Sequence, residues 1–202
     1  MKAYPSCLLM LAMMVVPLAK GDGVADLVGR AEKGEAAAQL ELSEIYLKGE
    51  GVTKDVAEAV RWLTKAAELG NSDAQMKLGG IYLGGRGVLK NSQEAAKWFM
   101  MSAEQGNAAA QCQVGRMHVT GAGVPKNALE AYKWSSLAAA QGDASAKKVI
   151  AFLMGKMTPQ QIAEGKRRSL DFIEGKKTGQ SLDLPADTPP MPVELLPLFT
   201  PE

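Results

Sequence analysis

Residues 34–70 read GEAAAQLELSEIYLKGEGVTKDVAEAVRWLTKAAELG, and the same pattern recurs twice more before Gly142. Trp62, Trp98 and Trp134 stand 36 residues apart, and the glycines of each copy keep the same step. A fixed period of about 20 to 50 residues is typical of stacked-repeat proteins, in which each unit buries its apolar face against its neighbours. The sequence therefore predicts a solenoid rather than a domain with one closed core.

The first half of each copy has the pattern of an amphipathic helix. In the first copy Ala38, Leu42, Ile45 and Tyr46 share one helical face. Gly49 follows, and a glycine tolerates the positive φ with which many helices end. The pattern predicts a first helix that stops at this glycine and packs through one side.

The second half of each copy predicts another helix, which begins with a polar cap. Asp55 is followed three residues later by Glu58, the spacing of a capping box. In such a box the first side chain accepts a backbone N–H, and we expect the glutamate to reach back to the cap's own N–H. Two further pairs repeat the arrangement: Asn91 with Glu94, and Asn127 with Glu130. Small alanines and one tryptophan per copy follow, and we interpret all three tryptophans as core.

Both ends of the repeat array look like caps. Residues 23–34 continue the register backwards as half a unit, and residues 143–174 continue it forwards as an altered helix pair. In the closing helix Thr158 and Gln161 form another capping box, and Met157 can pack on Ile162. The polar surplus from Glu164 to Arg168 predicts an outer face that stacks on nothing further.

The remaining segments lie at the termini. Lys2, an apolar run from Cys7 to Ala19 and the small residues after it predict a signal peptide over residues 1–22, cleaved between Lys20 and Val24. About 13 apolar residues are too few to span a membrane of ~30 Å. The predicted units are therefore a signal peptide, the N-terminal half-repeat, repeats over 35–70, 71–106 and 107–142, the closing helix pair and a proline-rich, disordered tail over 175–202.

Charge and cysteine content exclude several function classes. The formal net charge of +1 gives no electrostatic case for nucleic acid or for an anionic membrane surface. After removal of the signal peptide Cys112 is the only cysteine, so the mature chain has no internal disulfide. The expected location is the bacterial periplasm, with secretion as the alternative.

These residues resemble the Sel-one-like repeat, a relative of the tetratricopeptide repeat. The resemblance covers about Gly23 to Glu174, and one unit shows all the matching positions: Ala38-Gln39, Leu42, Tyr46, Gly49-x-Gly51-Val52, Ala59, Trp62, Ala66-Ala67 and Gly70. It implies an all-α fold: an α/α solenoid in which antiparallel helix pairs wind into a right-handed superhelix and the first helices line a concave groove. It also implies a non-enzymatic protein that binds other proteins or peptides.

Candidates for catalysis lack their partners. His118 is the only histidine of the chain, and it stands where the other copies have Tyr46 and Tyr82, so we interpret it as a packed core side chain. Cys112 stands in register with apolar residues and reads as a small buried hydrophobe. The Gly-x-Gly-Val turns lack the lysine and hydroxyl of a phosphate loop. The sequence predicts no catalytic residue, no cofactor and no metal.

The groove positions of tetratricopeptide repeats, carried over by register, give the candidate site. They are Leu40, Glu44, Leu47 and Lys48 in the first copy, Asp73, Met76, Gly80 and Leu83 in the second, and Cys112, Arg116, Val119 and Thr120 in the third. The mixture of apolar and charged side chains suits a peptide. An interpretation of Leu40, Met76 and Cys112 as interhelix core stays equally open.

Two functions follow as hypotheses. The first is a secreted or periplasmic adaptor that docks a protein or peptide in the groove, with partner and oligomeric state undefined. The second is an inhibitor or regulator of a cell-envelope enzyme, such as a cell-wall hydrolase, with the proline-rich tail contributing to binding.

Overall fold

A computed structural model describes residues 21–178, and within this range every regular element is a helix. Nine helices follow one another: α1 Gly21–Glu32, α2 Ala36–Lys48, α3 Val56–Glu68, α4 Ser72–Gly84, α5 Ser92–Glu104, α6 Ala108–Thr120, α7 Ala128–Ala140, α8 Ala144–Met154 and α9 Pro159–Thr178. The predicted signal peptide and most of the predicted tail lie outside the described residues.

The helices form three pairs, α2 with α3, α4 with α5, and α6 with α7, and each second helix also packs on the first helix of the next pair. Glycines set the ends of the first helices: Gly49, Gly85 and Gly121 are left-handed C-caps with φ of 80°, 70° and 79°. Their amides donate to the carbonyl four residues earlier, which satisfies one of the open carbonyls of each helix end. The predicted glycine stops are confirmed.

The capping boxes predicted for the second helices form only one of their two expected hydrogen bonds. The Asp55 side chain accepts the N–H of Glu58 at 3.0 Å, and Asn91 and Asn127 cap α5 and α7 in the same way. The prediction that the glutamate accepts a return hydrogen bond is wrong, because the N–H of Asp55 donates instead to the carbonyl of Tyr46 at 3.0 Å. The loop brings the cap back to the first helix, whose last carbonyls need donors. Glu58 is left to pair with Arg61.

The closing helix shows the complete capping box that the others lack. Gln161 N donates to Thr158 Oγ1 at 3.2 Å, and Thr158 N donates to Gln161 Oε1 at 2.9 Å. Met157 is buried in a cluster against which Ile162 packs, as predicted.

The core runs along the stack as a series of small clusters between helices. Trp62 and Trp134 are buried and Trp98 is half-buried, so the tryptophans are core rather than an exposed platform. Within α4 and α5 the packing depends on a missing side chain, since a Cβ on Gly79 would lie 2.7 Å from the ring of Phe99. At the same two register positions the first unit has Ser43 and Leu63, both buried.

A glutamine at one register position ties each unit to the one before. The side-chain amides of Gln39, Gln75 and Gln111 donate to the carbonyls of Ala31, Ala67 and Ala103 at 2.9, 3.0 and 3.1 Å. All three glutamines are buried. The conserved step of the Ala-Gln pair along the sequence therefore marks an interface between units, not a ligand contact.

Helix α9 corrects the prediction of an outer face that stacks on nothing. It packs along α7, where Gly165 lies so close to Tyr132 that a Cβ would approach its ring to 2.8 Å. Arg168 is 8% exposed; its Nη1 donates to Glu130 of α7 at 3.2 Å and its Nε to Glu164 at 2.9 Å. The polar segment is thus partly an ion-pair contact between helices.

The far half of α9 adds an aromatic contact. The ring of Phe172 meets that of Trp134 edge-on at 5.1 Å between centroids. The ammonium of Lys133, whose side chain is 8% exposed, lies 4.6 Å from the Trp134 centroid and 5.2 Å from that of Phe172. A cation over two aromatic faces stabilises this contact further.

Candidate peptide-binding surface

The exposed side of α2, α4 and α6 is the candidate surface, and we call it the first-helix surface. Its clearest link is an ion pair between neighbouring first helices, from Lys77 Nζ to Glu44 Oε1 at 2.5 Å. Lys77 was not among the candidate residues, although it stands in register with Glu41 of the first copy. The pair shows that side chains of successive units meet on this surface.

Three candidates at one register position pack between units. Leu40 is half-buried against the cluster of α3 and α4, and Met76 is half-buried against that of α5 and α6. Cys112 is 5% exposed beside Ala138 and Ala146. Each side chain in a first helix therefore contacts the following unit, which is the interhelix alternative left open by the sequence. They offer little area to a ligand.

The other candidates divide by exposure. Leu47, Leu83 and Val119 are half-buried, and Leu83 packs against the α5–α6 cluster. Asp73 is exposed and accepts the side-chain amide of Asn107 at 3.0 Å, so it also links two units. The exposed candidates without a role between units are Lys48, Gly80, Arg116 and Thr120.

The surface changes charge along the stack. On α2 the two glutamates are Glu41, which is exposed, and Glu44, which is half-buried, whereas α6 presents the exposed guanidinium of Arg116. Glu44, Gly80 and Arg116 occupy one register position, so the repeat places an acid, a gap and a base in a row. Such an arrangement can orient a bound segment by its charges.

The two candidates for reactivity are buried. The pKa of the Cys112 thiol is raised to about 11, first by burial and second by the carboxylate of Asp143. Burial lowers the pKa of His118, whose Nδ1 lies 3.1 Å from the carbonyl oxygen of Pro125. Both agree with the prediction of packed side chains. A thiol of raised pKa is a poor nucleophile at neutral pH.

The described residues offer neither a metal site nor a membrane-spanning helix. Over residues 21–178 no three side chains among His, Cys, Asp and Glu come together as a metal site would require. Within the same residues no helix combines the length and apolarity that crossing a bilayer demands.

An open cleft of 530 Å³ lies where the loops of the second and third units meet. It is lined by the start of α5 and the turn after α6: Lys90, Asn91, Ser92, Gln93, Gly121, Gly123, Val124 and Pro125. Asn91 already caps the first amides of α5, and Gly123 is needed there because a Cβ would lie 2.0 Å from the carbonyl oxygen of Ser92. The cleft is a packing feature of the turn.

The family model of the Sel1 repeat matches residues 36–71, 72–107 and 108–143. The chain belongs to the Sel1 repeat family. The predicted family and the predicted all-α solenoid are both confirmed. Sel1 repeats are commonly scaffolds for protein interaction, and typical members are not enzymes.

Two solved Sel1 repeat structures are similar. A Sel1 repeat protein from Oxalobacter formigenes shares 41% identity with a TM-score of 0.62, over 64% of this chain and 97% of that one. The protective antigen c5321 of uropathogenic Escherichia coli, which displays the same repeat fold, shares 30% identity with a TM-score of 0.68, over 82% of this chain. The chain spans only 37% of that antigen. Among curated protein sequences none matches this chain.

Proposed function

We propose that this chain is an exported adaptor that holds a protein or peptide segment against its first-helix surface, most simply in a bacterial periplasm. The scaffold role of the Sel1 repeat family supports the class of function. The predicted signal peptide over residues 1–22 supports the location. The partner is a segment whose charges complement a surface that is acidic at α2 and basic at α6.

One observation carries the proposal. At the register position of Glu44, Gly80 and Arg116 the side chains differ between units while the surrounding frame repeats. Nothing lies within 4 Å of the place that a Cβ on Gly80 would occupy, so the surface is open there. Side chains that hold a stack together keep the repeat, and specificity has to come from those that do not.

The test reverses the charges of this row. Glu44→Lys with Arg116→Glu should lower partner capture by about tenfold or more, the effect of losing complementary charges. Capture is measured by crosslinking each version of the protein in cells of the source, purifying it and identifying the attached partners by mass spectrometry. The isolated partner is then titrated against both proteins.

A matched control keeps the net charge and leaves the surface alone. Glu68→Lys with Lys156→Glu makes the same kind of exchange at two exposed residues, in α3 and in the turn after α8. This variant should bind as the unaltered protein does. Equal capture by all three proteins would refute binding at the first-helix surface.

Export has its own experiment. The full chain is expressed with its own N-terminus, and the periplasmic fraction is analysed by N-terminal sequencing. We expect a mature protein that begins between Lys20 and Val24. An uncleaved chain that stays in the cytoplasm would contradict the location without touching the binding proposal.

A further inference from the structure

One side of α8 is exposed, whereas the equivalent side of α6 is buried. We call it the open face of α8; it consists of Lys147, Ile150, Ala151 and Met154. Ile150 is half-buried, Lys147 and Ala151 are exposed, and Met154 is 50% exposed. The residues at the same register positions in α6 are all buried: Gln111, Val114, Gly115 and His118.

The reason is that α8 lacks a paired second helix. In α6 this register faces α7, since a Cβ on Gly115 would lie 2.4 Å from Ser135 Oγ. Ala151 stands at the position of Gly115, but α9 packs along α7 and leaves α8 without such a partner. Ile150 still packs at the edge of the cluster of Tyr132 and Leu153, but Ala151 and Met154 beside it are exposed, so among the described residues this side of α8 is only partly covered.

The face has a distinct chemistry. Ile150, Ala151 and Met154 are apolar, and the exposed ammonium groups of Lys147 and Lys148 lie at the start of the helix. Neither lysine has an ion-pair partner among the described residues. An apolar strip with cations at one end favours an apolar segment that carries carboxylates.

A second copy of the chain fits this face poorly. The helix that it could insert is α1, the half-unit that lacks a first helix of its own. The exposed side of α1 carries Asp26, Arg30 and Glu32. Insertion would place the carboxylates of Asp26 and Glu32 and the Arg30–Glu35 ion pair against Ile150 and Met154, and burial of charged groups against apolar side chains is costly.

The residues that follow α9 fit it well. Residues 179–202 contain four carboxylates, Asp183, Asp187, Glu194 and Glu202, and neither lysine nor arginine. Their most apolar stretch is Val193–Phe199, which contains three leucines and one glutamate. Pro197 disfavours a helix there and suits an extended segment.

The place where α9 ends allows the contact. Near that end the Nζ of Lys176 lies 3.8 Å from the position of a Cβ on Gly106, just before α6 begins. Gly142 holds the same position before α8, one unit further along. The chain therefore leaves α9 on the edge of the stack where α8 starts. The 24 residues from 179 to 202 can extend over about 80 Å, and α8 is only about 16 Å long.

We propose that Val193–Phe199 packs along the open face of α8, in the place of the missing second helix. Leucine side chains cover Ile150, Ala151 and Met154, and the carboxylates of the segment lie towards Lys147 and Lys148. The chain thus closes its own stack, independently of any partner at the first-helix surface.

The test is a disulfide trap in the full chain. Cys7→Ser and Cys112→Ala remove the native thiols, and Ala151→Cys is combined with Leu196→Cys. Oxidation by molecular oxygen with copper phenanthroline should give a monomeric disulfide, at a rate that does not depend on protein concentration. The control pairs Leu196→Cys with Ala109→Cys, an exposed position in α6 just past Gly106, beside the end of α9. A docked segment should react at least about tenfold faster at position 151, through its higher effective concentration.

A second pair of variants tests the chemistry of the face. Ile150→Glu with Met154→Glu should reduce the rate at position 151 to that of the control. Leu170→Glu with Ile173→Glu alters two exposed residues of α9 and should leave it unchanged. Equal rates at positions 151 and 109 would overturn the proposal. Disulfide-linked dimers whose yield rises with concentration would overturn it too, in favour of a second copy.

Discussion

Gln105 donates its side-chain amide to Oε1 of Gln75 at 2.8 Å, and Gln75 in turn donates to the preceding unit through the carbonyl of Ala67. Gln141 repeats the first bond with Gln111 at 2.8 Å. These bonds form a glutamine relay through the second and third units. The relay is broken in the first unit, because position 69 is a leucine.

Leu69→Gln should repair the relay and stabilise the protein. Oε1 of Gln39 is buried and has no hydrogen-bond partner, while Leu69 is 57% exposed. A new donor at position 69 should raise the free energy of unfolding by about 1 kcal/mol. Urea unfolding measures the change, with Leu69→Ala as the control that removes the apolar side chain without adding a donor.

Gln105→Leu should lower the free energy of unfolding by about 1–3 kcal/mol. No change in either glutamine variant would contradict the relay.

Two adjacent glycines of α4 should respond to alanine with opposite signs. At Gly79 a Cβ would meet the ring of Phe99 at 2.7 Å, and overpacking of this kind costs about 1–3 kcal/mol. At Gly80 nothing lies within 4 Å, so alanine should stabilise the helix by about 1 kcal/mol. Phe99→Leu should relieve the cost at Gly79, because the first unit has the smaller Leu63 where Phe99 stands and a residue with a Cβ, Ser43, where Gly79 stands. A double-mutant cycle that shows additive effects would rule out the clash.

Two adjacent arginines of α9 should differ as sharply. Arg168 has a side chain 10% exposed and bridges Glu130 and Glu164, whereas that of Arg167 is 58% exposed. Arg168→Ala leaves Glu130 paired with Lys133 and Glu164 paired with Arg167, but it removes the charged bridge between α7 and α9 and should destabilise the protein by about 1.5–3 kcal/mol. Arg167→Ala should cost about 0–1 kcal/mol. Denaturant unfolding followed by Trp134 fluorescence compares them, and equal costs would show that Arg168 does not fasten α9.

His118 should make stability depend on pH just below neutrality. Its pKa in the folded chain is lowered from 6.5, first by burial and then by the charge of Lys133, against the opposite effects of the Pro125 carbonyl and Glu130. The unfolded chain therefore binds a proton below pH 6.5 that the folded chain resists. Stability should fall as pH falls from 6.5, by at most about 1.4 kcal/mol for each pH unit.

The variant His118→Tyr isolates this effect, since tyrosine occupies the position in the first two units. His118 is the only histidine of the chain, so few other groups titrate between pH 5 and 7. The free energy of unfolding of the variant should be nearly constant over this range. A variant with the same pH slope as the parent would place the titration elsewhere.

The repeat made most of the fold predictable from sequence. The same residues mark the helix ends in all three units, so Gly49, Asp55 and their counterparts predict those ends three times. The structure has the helix ends at these residues. The return bond of Glu58 was not predictable, because the donor it needed is taken by Tyr46, which the fold brings close. Local spacing cannot show such a competitor.

The two ends of the stack and the candidate surface were harder. Helix α9 lies outside the register, so its position on α7 could not be read from the period. Arg168 looked solvated because its partner Glu130 is 38 residues away. The register identified the positions of Leu40, Met76 and Cys112 but could not say whether they face a ligand or the next unit. Lys77 could have been identified from the sequence, because it is the oppositely charged residue of the next first helix that can reach Glu44.

The break in the glutamine relay gives the stack a direction. Units in a solenoid hold on to their nearest neighbours only, so fraying begins at the weakest junction. Leu69 places that junction at the end where the chain starts, while α9 braces the opposite end. We expect amide hydrogens of α1 and α2 to exchange with solvent sooner than those of α6 and α7. Local unfolding of the stack should therefore begin in the first unit and proceed towards α9.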